Sequence, residues 1–137
     1  MSYRVYDTER KEWLKEDVYL SPNDELFLIK KTLFGNRLVE LSDERYVFHK
    51  DIDLCDDKNV LIYEGDIIEA RVSENRIVHG VVTYVNELSS YVILCVDSEE
   101  YFTLGNSVSE FISIIGNVFD GIGEEHNGQQ SLQEEAV

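Results

Sequence analysis

From Asp66 to Leu104 the chain is cut by turn residues into short β-forming runs, and this pattern constrains the fold more than any other feature. The runs are Asp66–Val72, Arg76–Val85, Tyr91–Val96 and Glu99–Leu104. They are separated by Ser73-Glu74-Asn75, Asn86–Ser90 and Asp97-Ser98. Links this short suit antiparallel neighbours, because a parallel crossover needs a dozen residues or more. Ser107-Val108-Ser109-Glu110 has the form of a capping box and predicts one short helical turn before Phe111. Ile112–Phe119 then supplies a last strand. Five short strands with a helical turn before the last is the plan of an SH3-type β-barrel. The chain is therefore read as mainly β.

Ile62-Tyr63-Glu64-Gly65-Asp66-Ile67-Ile68 is read as the turn that feeds the first barrel strand. Gly65 accepts backbone conformations that other residues resist. Asp66 can take up nearby backbone N–H groups and fix the start of the strand. Gly80, inside Ile77-Val78-His79-Gly80-Val81-Val82, is expected to mark a bend or bulge that curls the sheet. Gly116 is grouped with these as a structural turn position.

The first fifty residues are read as an additional β-meander packing on the barrel. Ser2–Tyr6 alternates and is rich in β-formers. Asp7–Glu12 is a polar turn, Trp13-Leu14 begins the return, and Ser21-Pro22-Asn23-Asp24 is a further turn. Gly35-Asn36 between the apolar runs Glu25–Phe34 and Arg37–Leu41 predicts a two-residue hairpin loop. Tyr46–His49 adds a strand, and Asp51–Asn59 reads as an acidic connector. The expected organisation is residues 1–50 as N-terminal strands, 51–120 as the barrel, and 121–137 as a disordered acidic tail without aromatics.

The formal charge is −16 and is unevenly spread. Residues 1–51 carry a net of −2, residues 52–137 a net of −14. Such a field repels phosphates, so direct nucleic-acid binding is not expected. It suits solubility, and also an acidic mimic of nucleic acid that occupies a host DNA- or RNA-binding protein. No apolar run approaches the roughly 20 residues of a membrane helix. With no secretory signal at its start, the chain is read as cytoplasmic, with Cys55 and Cys95 reduced.

The opening Tyr3-Arg4-Val5-Tyr6-Asp7, the central stretch at residues 54–68 (LCDDKNVLIYEGDII), the Gly80-Val81-Val82 step and Ile114-Ile115-Gly116-Asn117-Val118-Phe119 occur in that order. Together they resemble the YopX family of phage and prophage proteins over about residues 2–120. Asp53 stands where the family pattern has Gly, and Asn59 where it has the Gly of an Asn-Gly turn. Asn tolerates a left-handed backbone, so the turn at Asn59 is expected to survive. The resemblance implies an SH3-type barrel and a phage-encoded origin in a bacterial host. It implies no reaction.

No constellation of residues calls for catalysis. Asp51, Asp53, Asp56 and Asp57 form the densest carboxylate cluster. A calcium loop would need an oxygen ligand at Cys55, Gly at Asp56 and Glu at Ile62, and all three fail. The cluster is read as a solvated loop. His49, His79 and His126 share no zinc spacing with a cysteine, and a Cys55–His49 nucleophile pair lacks a recognisable context. Phosphate-binding glycine loops are absent. No cofactor or metal is expected. Glu64 and Asp66 could serve an uncharacterised enzyme only if their environments drove their pKa values apart; the turn reading explains them without chemistry.

The aromatics Tyr3, Tyr6, Trp13, Tyr63, Tyr84, Tyr91, Tyr101 and Phe102 divide between core packing and a peptide groove. Tyr63, Glu64 and Asp66 are the candidate partner-binding residues. The function expected is a non-enzymatic protein-binding or assembly module. Self-association is included in this expectation, since strand edges such as Glu25–Phe34 need a partner.

Overall fold

The computed structural model describes residues 2–41, 44–104 and 112–123. It divides into two compact units, Met1–Lys50 and Asp51–Val137. Among the described residues the structure is β-strand apart from turns and one 3₁₀ turn at Asn86–Leu88.

The N-terminal unit contains β1 (Tyr3–Asp7), β2 (Glu12–Trp13), β3 (Val18–Leu20), β4 (Leu26–Thr32), β5 (Gly35–Glu40) and the first half of β6 (Tyr46–Cys55). Strand β1 pairs with β2 and, through Tyr3–Asp7, with residues 46–50 of β6. Strands β3, β4 and β5 form a separate antiparallel sheet in that order. Val5, Leu26 and Leu41 are buried at the centre, with Leu14, Val18, Leu20, Leu28, Tyr46 and Phe48 around them. The Ser21 turn closes on its own side chain, whose Oγ accepts the N–H groups of Asn23 and Glu25.

The β4–β5 hairpin departs from expectation at its tip. Thr32 pairs with Gly35 and Lys31 with Asn36, so the two-residue loop is Leu33-Phe34 and not Gly35-Asn36. Neither loop residue has positive φ; that conformation falls on Gly35, at +127°. The glycine takes up the reversal one position after the loop, leaving two apolar side chains at the apex.

The second unit begins with the other half of β6, which pairs with β7 (Leu61–Tyr63) through Asp51 and Cys55. Then come β8 (Asp66–Ser73), β9 (Arg76–Val85), β10 (Ser90–Cys95), β11 (Tyr101–Thr103), β12 (Ile112–Asn117) and β13 (Gly121–Ile122). Their order in the sheet is β11-β10-β9-β8-β12-β13. A four-stranded meander with the next strand returning beside its first member is the SH3-type plan. Ile68 and Ala70 of β8, Val78 and Val82 of β9, Ile93 and Cys95 of β10, Ile112 of β12 and Ile62 of β7 form one buried cluster, with Phe102 of β11 packed against it. In a flat sheet β11 and β12 would lie roughly 19 Å apart. Sharing one core requires the sheet to curl.

Gly80 does not mark a bulge. The ladder runs through it without a register shift, pairing it with Ile68 on one side and Cys95 on the other. The bulges lie elsewhere, between Arg71 and Ser73 and between Ile114 and Gly116. At Gly80 a Cβ would sit 2.8 Å from the Leu94 carbonyl oxygen and closer still to the Ile93 side chain. The position is kept bare by close approach. At Gly116 a Cβ would strike the Gly121 carbonyl.

Two residues assigned to the tail are part of the sheet. Gly121 and Ile122 pair with Asn117 and Gly116. The turn that brings them back is closed by Asn117, whose Oδ1 accepts the N–H groups of Phe119 and Asp120. Asp120-Gly121, a strong turn dipeptide, is the sequence signal for it. The capping box at residues 107–110 and the tail from residue 124 lie outside the described residues.

Candidate functional site

The segment from Ile62 to Ile68 folds as a closed turn. Gly65 adopts φ +79°, in the region that favours glycine. Its N–H donates to the Val82 carbonyl, and its own carbonyl accepts the Val118 N–H, both at 2.9 Å. The turn thereby joins β9 to the end of β12. Asp66 is almost fully buried, at 2% exposure. Its Oδ2 accepts the Tyr63 N–H at 2.8 Å. This carboxylate closes the turn from inside, as the turn reading expects, and its burial leaves it off the exposed surface. Tyr63 and Glu64 remain half-buried at the surface.

Burial first, then the negative charge of Glu64 with Tyr84 and Asp51, pushes the Tyr91 hydroxyl pKa upward. Tyr84 and Tyr91 meet edge to face at 5.0 Å. The candidate surface is taken as Tyr63 and Glu64 together with the Tyr84–Tyr91 pair that the Glu64 charge reaches; Asp51, whose charge also reaches Tyr91, is buried. It is an acidic, aromatic surface with three phenol hydroxyls, able to take part in hydrogen bonds and ring stacking.

The acidic connector is structural as well. Asp56 is 7% exposed. Its Oδ1 accepts the N–H groups of Lys58 (3.0 Å) and Val60 (2.8 Å), and its Oδ2 that of Ile114 (3.2 Å). Asp51 Oδ1 accepts the Asp53 N–H at 2.9 Å. The expected solvated loop is therefore a pair of carboxylate-closed turns, in which Asp53 (φ +61°) and Asn59 (φ +64°) take the left-handed conformation. No group of three or more His, Cys, Asp or Glu side chains placed to hold a metal ion occurs among the described residues. Because Asp53 bears the conformational cost of a left-handed L-residue, Asp53→Gly is expected to stabilise the chain slightly, by up to about 1 kcal/mol. Urea midpoints would check this, and a loss of stability would contradict it.

The remaining candidates sit in structural settings. His49 packs in the N-terminal unit against Trp13, its ring 6.1 Å away, and next to Arg4, whose guanidinium lies 4.6 Å over the Trp13 ring. Burial, then the charge of Arg4, lowers the His49 pKa to about 4. Asp7 is buried and gripped by Arg45 through two hydrogen bonds of 2.9 and 2.8 Å. That bond, helped by the Glu9 and Arg10 N–H groups, lowers the Asp7 pKa to about 2. His79 Nε2 lies 2.9 Å from Glu69 Oε2, its cross-strand partner. Cys55 and Cys95 are both free, the first half-buried and the second buried. An open groove of about 630 Å³ in the N-terminal unit is lined by Lys15, Asp17, Leu28 and Lys30 among others, and by none of the predicted site residues.

These pKa values predict how acid acts on the N-terminal unit. Both native values lie below their unfolded ones, so in each case the unfolded chain binds the proton first. The His49 contribution is complete above about pH 6.5 and is lost as pH falls towards about 4. The Asp7 contribution is complete above about pH 4 and is lost as pH falls towards about 2. Urea midpoints followed by Trp13 fluorescence should drop in two stages, and His49→Gln should remove the upper one. A flat profile from pH 7 to 4 would contradict the assignment.

A family model described as YopX protein matches residues 2–121. The chain belongs to the YopX family. Two solved structures share the fold of this YopX-family chain. YopX from Bacillus subtilis superposes with a TM-score of 0.59 at 14% identity, covering 85% of this chain and 91% of that one. The protein EF1440 from Enterococcus faecalis gives 0.54 at 21%, covering 85% and 92%. No curated protein matches the chain significantly. The YopX motif positions sort by role in this structure. Gly65, Asp66, Asp56 and Gly116 serve turns and close contacts, while Tyr63 and Glu64 are left at the surface.

The hairpin tip carries no recognisable motif in the sequence. Leu33 and Phe34 are 98% and 99% exposed, more than any other large apolar residues described. The available signal was an apolar pair directly before a glycine, which the rule for Gly-Asn loops assigned to a strand.

Proposed function

We propose that the chain is a non-enzymatic binding or assembly module of phage or prophage origin, working through protein–protein contacts in the bacterial cytoplasm. The observation that carries this is the contrast in how its side chains are used. The buried carboxylates Asp66 and Asp56 are taken up by backbone N–H groups. Large apolar residues, Leu33 and Phe34 foremost, are displayed outward. The Tyr63, Glu64, Tyr84 and Tyr91 surface is a second contact region, with the polar and aromatic character of recognition patches. No helix among the described residues is long and apolar enough to cross a membrane.

Two measurements test the proposal together: capture of partners from phage-infected cells on immobilised chain, and light scattering of the pure chain. A saturable partner lost with Tyr63→Ala and Glu64→Lys, or defined self-assembly, supports it. A strict monomer that captures nothing overturns it.

A second reading rests on the net charge of −14 over residues 52–137. It takes the barrel as a mimic of nucleic acid that occupies a basic host protein. Recovery of no basic protein even at low salt would remove it.

A further inference from the structure

The β4–β5 hairpin is built to leave the surface. All six residues of β5 are exposed, as are Lys30 and Lys31 on β4. At its apex Leu33 and Phe34 are almost wholly in water, and Leu38 is 57% exposed. Among the described residues strand β5 pairs only with β4, and no described strand takes up the backbone donors and acceptors of its outer edge. The arms are basic: Lys30 stands directly opposite Arg37, next to Lys31. Like charges facing each other across a ladder repel. In a chain of net charge −16, a basic pair of this kind beside an apolar apex calls for an acidic, apolar counterpart.

The second unit carries such a counterpart. Leu94 and Tyr101 are cross-strand partners and both exposed, and Val96 is 72% exposed. Asp97 and Glu99, exposed in the β10–β11 connection, rim this patch. Among the described residues strand β11 is the outer strand of its sheet, with no strand on its far side. Each chain thus displays an apolar apex with a basic rim and an apolar edge with an acidic rim.

The geometry points to one occupant for the hairpin: the β10–β11 edge of a second copy of this chain. Leu33 and Phe34 cover Leu94, Val96 and Tyr101, while Lys30 and Arg37 meet Asp97 and Glu99. The overall charge makes most approaches between copies repulsive, so charge complementarity selects this orientation. The contact joins two different surfaces, so it propagates from copy to copy and ends as a closed ring or an open filament. The inference rests on the assembly reading above and names its partner and surface.

Sedimentation velocity over a wide concentration range tests it. The native chain should associate, and more weakly as salt rises. Leu33→Asp with Phe34→Asp should weaken association at least about thirtyfold, the loss expected for a hot-spot aromatic. Both positions are in water, so circular dichroism should show an unchanged fold. Lys30→Glu with Arg37→Glu, and separately Asp97→Lys with Glu99→Lys, should each weaken association when alone. Mixed together, the two charge-reversed chains should recover it. Three results overturn the inference: a monomer at every concentration, association indifferent to the apex substitutions, or apex-dependent binding to anionic vesicles without self-association. A monomer that still captures a partner through Tyr63 and Glu64 would sink this inference alone. A monomer that captures nothing would also sink the binding-module reading.

Discussion

Asp56→Ala should lower the melting temperature by roughly 10–20 °C, corresponding to about 3–5 kcal/mol for a chain of this length. The size of the effect follows from what the side chain holds. One oxygen takes the N–H groups of Lys58 and Val60, the other that of Ile114. The first two close the β6–β7 turn, and the third ties that turn to β12, where the Asp57 N–H also donates to Ile112. Alanine takes the acceptor away from three N–H groups at a buried carboxylate, two of them on the exposed residues Lys58 and Val60, and each lost charge-assisted bond costs more than an ordinary one. Asp56→Asn retains one acceptor oxygen and puts an amide donor where Oδ2 faced Ile114. It should lose about half as much. Thermal melts of the two variants check the ordering, and an alanine variant within about 1 kcal/mol of native would show that the turn does not depend on this residue.

Gly80→Ala should cost about 3 kcal/mol, at the upper end for an overpacked core. The added methyl would meet the Ile93 side chain and the Leu94 carbonyl, and the backbone oxygen cannot rotate away. Ile93 is itself buried, so its side chain has little room to yield. Gly80→Val should leave little folded protein. Gly35→Ala is the natural comparison: no atom lies within 4 Å of the added methyl, and only its positive φ is penalised, by about 1–2 kcal/mol. Urea denaturation should rank them in that order. Equal costs at the two positions would mean that conformation, and not space, explains Gly80.

The barrel was readable in the sequence because its punctuation is local. Ser73-Glu74-Asn75, Asn86–Ser90 and Asp97-Ser98 separate β8, β9, β10 and β11 as read, with the middle one forming the 3₁₀ turn. Errors arose where a residue's role depends on something far along the chain. Asp56 looked like solvated acid because its bond to Ile114 spans 58 positions. Asp7 looked like a surface turn residue because its Arg45 partner lies 38 positions away. Gly80 was assigned a bend or bulge because sequence shows a missing side chain but not the neighbour that excludes one. The hairpin loop was displaced by two residues because Gly35 supplies the left-handed backbone after the loop and not within it. Of the candidate site, Tyr63 and Glu64 are half-buried. The burial of Asp66 was not legible, because a buried and an exposed carboxylate look alike in a string of letters.

Cys95 gives the second unit a built-in clock. Its thiol lies in the core beside Gly80 and Ile93, and burial pushes its pKa up. Thiolate is the species that reacts with alkylating reagents, so labelling at Cys95 should wait for the barrel to open. Its rate, read by mass spectrometry beside that of half-buried Cys55, would report how often β9 and β10 separate under native conditions. Assembly at the β10–β11 edge should slow that rate without touching the sulfur.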